Sequence, residues 1–328
     1  MAVIAGFFVS VIYLLFTIYF EGKLEFFGED QYWLKLTGFF AGIIVLGIVC
    51  YIDDVKGIPS YVKLAAQIVA AIIVVACGIK IDNISIPFTD GNIVISGVLS
   101  YILTVCWIIG ITNAINLIDG LDGLSSGVTL ISCLSLLMVF ALNGSPLIAI
   151  ILITALAGAI VGFLPFNFSP AKTFIGDTGS NFMGFSLAII SILGVAKTYT
   201  ALVLIAPIII LGMPIFDTLF AIFRRLIKGK SLKAVFKPDK GHLHHKLMAK
   251  GYTQKQAVLI MYGITAILGM FAVILLESGI WKALSFALLI IAIVAIGYRD
   301  MEKFMESEEE EKIEGTEKID ENHLRKQD

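Results

Sequence analysis

The sequence predicts an all-α membrane protein, a polytopic bundle of about ten transmembrane helices. Of its 328 residues, 58% are hydrophobic and only 15% are charged, and the mean hydropathy is +0.92. Soluble globular domains are less apolar and carry more charge. Ten apolar runs approach or reach the roughly 20 residues that a membrane-spanning helix needs. Because the runs are continuous and do not alternate with polar residues, they favour helices over a β-barrel.

The first predicted span is residues 2–20, which carry no charge and lack the basic start and cleavage pattern of a signal peptide. The other spans are predicted at 37–52, 62–79, 97–112, 125–142, 147–164, 180–195, 201–223, 256–276 and 280–298. Pro214 is expected to kink its span. Asp217 could join the site or simply hydrogen-bond within the bundle, and we expect the second. Four cysteines lie singly inside apolar runs, which is typical of small core residues and not of a metal site.

The charges of the connecting loops predict the orientation. Residues 224–255 hold ten lysines and arginines, whereas the loops of the opposite face hold few. The positive-inside rule therefore assigns the loops at 53–61, 113–124, 165–179 and 224–255 to the cytoplasm. On the outer side, partial alternation around Asp90 in residues 80–96 predicts a short extracellular β-hairpin.

The last thirty residues differ from the rest of the chain. Residues 299–328 contain 12 acidic and 6 basic residues, so the chain's net charge of −2 combines an acidic tail with a membrane domain, 1–298, of about +4. We expect the tail to be disordered in the cytoplasm. Since no basic stripe with interleaved aromatic residues is present in the sequence, no nucleic-acid partner is predicted.

The carboxylates outside the tail and the outer loops collect at the predicted cytoplasmic ends of the helices, and the middles of the spans are almost free of charge. An ion-coupled transporter would be expected to place an ionisable residue near the bilayer centre. The distribution therefore predicts chemistry at the inner membrane surface.

Two polar clusters precede residue 130. In YIDDVKGIP, with Lys63 soon after, the adjacent acids Asp53 and Asp54 could hold a cation or prepare a base, or could simply end a helix. In residues 112–125, polar side chains recur every three residues and two glycines allow a ligand to approach the backbone. Helix capping would explain one or two of these polar residues but not all four, which are Asn113, Asn116, Asp119 and Asp122.

Two further clusters follow. In FIGDTGS, Asp177 between glycines suits Mg²⁺, which prefers one or two carboxylates plus phosphate oxygens and water, although an N-cap would look the same. In KPDKGHLHHK, three histidines, His242, His244 and His245, lie among lysines. The lysines and the missing fourth ligand favour a phosphate over zinc.

These four motifs, in this order, resemble the polyprenyl-phosphate N-acetylhexosaminyl-1-phosphate transferases, the family of MraY, WecA and TagO. The His-Leu-His-His pattern and the following GYTQKQAVLI run are similar to the WecA and TagO branch. The resemblance implies transfer of N-acetylglucosamine 1-phosphate from UDP-N-acetylglucosamine to undecaprenyl phosphate, with release of UMP. It also implies Mg²⁺, with Mn²⁺ as an alternative, and a bacterial plasma-membrane enzyme that starts teichoic-acid or other surface-polysaccharide synthesis, O-antigen included.

The resemblance also implies roles for individual residues. Asp177 and Asn116 would hold the metal against the donor diphosphate. Asp53 would deprotonate or orient the lipid phosphate with support from Asp54, and Lys63 would contact phosphate oxygens. Substrate-binding residues would be Phe174, stacked on uracil, together with Asn113, Asp119, Asp122, His242, His244 and His245. The partners would be the two substrates and membrane lipid, and a homodimer is a further expected assembly.

Relatives of this branch usually have eleven spans and an extra cytoplasmic loop before the stretch that aligns with Met1. We therefore expect this chain to be a truncated or late-started form. Two alternatives to an active transferase are open at this point: an inactive membrane scaffold and a polytopic lipid transporter. The transporter would not explain why the acids gather at one membrane face.

Overall fold

The structure, a computed structural model, describes residues 1–22, 32–85, 92–95, 97–195, 201–229 and 241–291. The chain divides into two compact units, Met1–Glu277 and Ser278–Asp328. In the second unit the described part is a short apolar helix, Ile280–Ile291. The helices that begin in the first unit are α1 (Ala2–Phe20), α2 (Tyr32–Lys56), α3 (Ser60–Ala76), α4 (Val98–Leu117), α5 (Leu124–Leu142), α6 (Leu147–Asn167), α7 (Gly176–Val195), α8 (Ala201–Ile210), α9 (Gly212–Gly229), α10 (Leu243–Ala249) and α11 (Gln254–Ser278).

Seven helices within the described ranges are long and apolar enough to cross a membrane, namely α1, α2, α4, α5, α6, α7 and α11. The chain is therefore a polytopic helical membrane protein, and the count of ten spans stays a prediction. The span predicted at 201–223 is divided at Leu211 into α8 and α9. Pro214 lies just after this division. Because proline has no backbone N–H, it cannot donate the hydrogen bond that a continuous helix would need at this position. The predicted acidic tail lies outside the described residues.

Helix α7 forms the centre of the first unit. Every residue from Thr178 to Gly194 is buried, and α2, α4, α5 and α6 pack around the helix. Small residues permit the close approach: a Cβ added to Gly184 would lie 2.8 Å from the Cα of Thr112 on α4. This contact brings the polar end of α4 beside the first turns of α7.

Two short strands, β1 (Asn83–Ser85) and β2 (Asn92–Val94), pair antiparallel with Ile84 opposite Ile93. They connect α3 to α4 and stand at the end of these helices remote from Lys63 and Asn116. The turn around Asp90 lies outside the described residues, and an extracellular position for this segment stays a prediction.

Candidate active site

An ion-pair cluster joins the end of α2, the start of α3 and the start of α7. Gly57, with φ of +67°, and Pro59 separate α2 from α3, and the Ile58 N–H donates to Asp53 Oδ1 at 2.8 Å. One turn into α3, the Lys63 ammonium lies 2.5 Å from Asp53 Oδ2 and also contacts Asp177 Oδ2. The lysine thus holds together carboxylates that are far apart in sequence.

Asp54 has a different set of contacts from its neighbour Asp53. Its Oδ1 accepts the Asp177 N–H at 2.8 Å, and its Oδ2 accepts the Thr178 N–H at 3.1 Å and the Thr178 hydroxyl at 2.5 Å. These are the free N–H groups of the first turn of α7, so Asp54 acts as an N-cap supplied by another helix. Gly176 is needed beside it, because its φ is +68° and an added Cβ would lie 3.0 Å from Asp54 Oδ2.

A ladder of amide side chains lies behind the carboxylates and links α3, α4 and α7. Asn116 Nδ2 donates to Asp177 Oδ1 and to Ser180 Oγ, both at 2.9 Å. Deeper in the bundle, Gln67 donates to Asn181 Oδ1 at 2.8 Å and accepts from Asn113 Nδ2 at 2.6 Å. Because buried amides are costly when unpaired, this ladder fixes how the three helices are aligned.

The loop between α4 and α5 lies close to the ion-pair cluster. Asp119 accepts a hydrogen bond from Ser125 at 2.6 Å, and burial, reinforced by the charges of Asp177 and Asp54, raises the pKa of its carboxyl to about 7. Asp122 accepts the N–H of Ala171, 3.1 Å away in the segment after α6. The loop is therefore attached to two other parts of the bundle.

The three histidines of the fourth motif have different surroundings. His242 is buried and its Nδ1 lies 2.8 Å from Asp217 Oδ2. His244 is 1% exposed, and neither of its ring nitrogens has a hydrogen-bond partner. Burial lowers the pKa of His244 to about 4, with help from the two flanking histidines, so the ring is neutral at physiological pH. His245 is only partly buried.

Phe174 lies just before α7 and is 75% exposed, which leaves its ring free to stack on a planar ligand. The structure therefore joins Asp53, Lys63, Asp177 and Asn116 by direct contacts, and Asp54 accepts the N–H of Asp177. Asn113 is linked to Asp177 only through Gln67 and Asn181. Three lysines of the fourth motif favoured phosphate; Lys246 lies on α10, whereas Lys237 and Lys240 lie outside the described residues.

Among the described residues, no group of three histidines, cysteines, aspartates or glutamates could hold a metal. A divalent cation here would need substrate oxygens or water, which is the usual arrangement for Mg²⁺. Asp177 is partly exposed, and Asn116 makes its contacts through Nδ2, so that its Oδ1 remains for a cation. The residues present thus fit a magnesium ion that is shared with a phosphate ligand.

Sequence reasoning missed Thr178 and Asn181 as parts of this site. Asn181 Nδ2 donates to the backbone carbonyl of Asp177, four residues earlier, at 2.8 Å. An asparagine one helical turn after a candidate ligand, within an otherwise apolar helix, is a signal that could have identified it. Asp217 does hydrogen-bond within the bundle, as expected, and its partner is a histidine of the fourth motif.

The fold and the site define a polytopic membrane protein in which acidic, basic and amide side chains meet at one end of a helical bundle. Residues 36–195 match the model of glycosyl transferase family 4. A Bacillus subtilis (strain 168) protein named "probable undecaprenyl-phosphate N-acetylglucosaminyl 1-phosphate transferase" is 44% identical over 254 residues, 77% of this chain and 69% of the relative.

Two further relatives are similar to the chain. The decaprenyl-phosphate N-acetylglucosaminephosphotransferase of Mycobacterium tuberculosis (strain CDC 1551 / Oshkosh) is 37% identical over 68% of this chain and 59% of its own length. The phospho-N-acetylmuramoyl-pentapeptide-transferase of Shouchella clausii (strain KSM-K16) is 34% identical over 76% of this chain and 78% of its own length. The chain belongs to glycosyl transferase family 4, the family of the polyprenyl-phosphate sugar-1-phosphate transferases, and is more similar to the N-acetylglucosaminyl branch.

Proposed function

We propose that this chain transfers N-acetylglucosamine 1-phosphate from UDP-N-acetylglucosamine to undecaprenyl phosphate and releases UMP. The observation that carries the proposal is the Lys63 ammonium, which is shared by Asp53 and Asp177 beside the amide of Asn116. Such a cluster provides acids, a cation and a candidate metal ligand at one point. The relatives' names support the polyprenyl phosphate acceptor and the N-acetylglucosamine group. The reaction would be the first membrane step of teichoic-acid or other surface-polysaccharide synthesis.

The proposed cofactor is Mg²⁺, with Mn²⁺ as an alternative, held by Asp177 and Asn116. When bound, the cation would offset the negative charge of the donor diphosphate. The carboxylate of Asp177 is kept in place by the Asn116 amide at 2.9 Å and by the start of α7.

The chain's own residues would bring two anions together. Asp53, fixed by the Ile58 N–H, would orient the acceptor phosphate or take its proton, and Lys63 would reduce the repulsion between the two substrates. An oxygen of the lipid phosphate would then attack the sugar-linked phosphorus, and the bond between the two phosphates of the donor would break. The electron pair of that bond leaves with UMP.

The loop at 118–123 and the fourth motif are proposed to bind the rest of the donor. Asp119 and Asp122 would line the uridine pocket, Phe174 would stack on uracil, and the histidine motif would lie near diphosphate and sugar. Asn113, in the buried ladder, supports the position of Asn116 on the same helix. We further propose that residues 1–298 are the catalytic membrane domain of a bacterial plasma-membrane protein, with the site and the tail at 299–328 on the cytoplasmic side.

The test is product formation by the whole chain in detergent with undecaprenyl phosphate, UDP-N-acetylglucosamine and Mg²⁺, with UMP and the lipid product measured by mass spectrometry. Asp177→Asn should reduce the rate at least about 100-fold, the size of effect that loss of a charge-stabilising group produces. The matched control is Asp82→Asn, which removes the acid of an exposed pair with Lys80 at 3.2 Å and should leave the rate within about twofold. Product from wild type and from Asp177→Asn alike would contradict the metal-binding role, and no product from wild type would favour the inactive scaffold.

A further inference from the structure

Asp217, on α9, connects that helix to the histidine motif. One carboxylate oxygen lies 2.8 Å from His242 Nδ1, and the other accepts the Leu243 N–H at 2.8 Å. Both side chains are buried, at 8% and 5% exposure. Hydrogen bonds to a buried carboxylate are among the stronger ones in proteins. The acid therefore holds both the ring of His242 and the backbone where α10 begins.

Helix α10 depends on such anchoring. It has seven residues, Leu243–Ala249, and a helix of this length is not stable by itself in water. Asp217 accepts the N–H of its first residue, so this contact fixes the start of α10 against α9. The positions of His244 and His245 on α10 follow in turn.

His244 is packed against the loop that carries Asp119 and Asp122. A Cβ added to Gly120 would lie 2.8 Å from His244 Nε2 and 3.3 Å from its Cε1. The His244 ring also stacks on His242, with centroids 5.9 Å apart and an angle of 10° between the planes. A continuous path of contacts thus leads from Asp217 through His242 and His244 to the 118–123 loop.

We propose that Asp217 is a positioning residue for donor binding: it holds His242 so that His244 supports the loop at Gly120 and His245 is presented to the donor. The proposal rests on the proposed function and refines it, because it gives the three histidines separate tasks. His242 acts through Asp217 and packing, and His245, which is only partly buried, is the ring that a ligand reaches.

The kinetic test compares Asp217→Ala and Asp217→Asn with the matched control Thr218→Val in the full chain. The Thr218 hydroxyl is buried on the same helix without a hydrogen-bond partner. Its removal should therefore change the KM for UDP-N-acetylglucosamine and the KM for undecaprenyl phosphate by no more than twofold. Asp217→Ala should raise the KM for UDP-N-acetylglucosamine at least tenfold and leave the KM for undecaprenyl phosphate within twofold. Asp217→Asn, which keeps an acceptor for the Leu243 N–H, should recover part of that loss.

An unchanged KM for the donor in Asp217→Ala, or an equal rise in both KM values, would overturn the proposal, because a general structural defect would affect both substrates. A second measurement does not depend on activity and separates this proposal from the proposed function. The ring nitrogens of ¹⁵N-histidine-labelled protein are observed by NMR and assigned with His242→Gln and His244→Gln. Asp217→Ala should shift the resonances of His242 and His244 together, whereas a shift confined to His242 would refute the path of contacts even if wild type makes no product.

Discussion

Replacement of Asp54 separates a capping role from a catalytic role for the second acid of the Asp-Asp pair. Asp54 accepts three hydrogen bonds from the first turn of α7, two of them from Thr178, which is 2% exposed. Loss of an N-cap costs about 0.5–2 kcal/mol, and each buried donor left without a partner costs about 1–3 kcal/mol. Because Asp54 itself is exposed and water can replace part of its contacts, we expect a total of about 2 kcal/mol for Asp54→Ala.

If that cost falls on the conformation in which Asp177 is correctly placed, kcat/KM should decrease about 30-fold, since 1.4 kcal/mol corresponds to a factor of about ten. Asparagine and serine are good N-caps. Asp54→Asn and Asp54→Ser should therefore retain most of the activity that Asp54→Ala loses. The assay is UMP release at matched amounts of folded protein, with thermal unfolding measured in parallel.

The partner variant is Thr178→Val, which removes the hydroxyl donor to Asp54 but keeps both backbone N–H groups. In a double-mutant cycle, Asp54→Ala and Thr178→Val should show a coupling of about 1 kcal/mol, because the hydroxyl supplies one of the three hydrogen bonds that Asp54→Ala removes. The reasoning would be refuted if alanine, asparagine and serine at position 54 reduced the rate equally, because a reacting carboxylate has no such substitutes. An unchanged rate in all three variants would refute it as well.

Three further predictions concern the same end of the bundle. Lys63→Met leaves Asp53 and Asp177 facing each other without their shared cation, so the rate of UMP release should fall at least about 100-fold, whereas the control Lys80→Met should stay within about twofold. Gly120→Ala should lower kcat/KM at least about tenfold, because overpacking against His244 costs about 1.4 kcal/mol. The control is Gly110→Ala, since a Cβ there meets nothing within 4 Å. Equal rates in the two variants would contradict the packing of His244 against Gly120. Because the pKa of Asp119 is raised, the folded protein binds more protons than the unfolded protein between about pH 4 and 7. The contribution of this carboxyl to the free energy of unfolding therefore decreases as the pH rises through that window. Asp119→Asn should therefore flatten the decrease of thermal stability between pH 5 and 8, and an unaltered pH profile would show that the carboxyl is not held in its neutral form.

The sequence was informative about which residues form the site and less informative about how they pair. Polar residues at the ends of apolar runs have few places to go in a bilayer protein, so the clusters at 53–63, 113–122 and 177 were expected at one face, and direct contacts connect them. The pairing of Asp54 with the start of α7 joins positions 123 residues apart, and two adjacent aspartates look equivalent in the sequence. Their different roles depend on the angle at which α2 ends, which is decided by tertiary packing and not by local pattern.

The charge of the central cluster explains why an enzyme for two phosphates is rich in acids. Asp53, Asp54 and Asp177 carry three negative charges against the single positive charge of Lys63. A phosphate approaching this cluster alone would be repelled, and the free N–H groups at the start of α7, which would otherwise attract an anion, are already occupied by Asp54. A divalent cation would be attracted to the same cluster and would bring its total charge to about zero. Under the proposed function, donor diphosphate and cation would therefore favour each other's binding. The acids repel the donor when it approaches alone, so they would make its binding conditional on the cation.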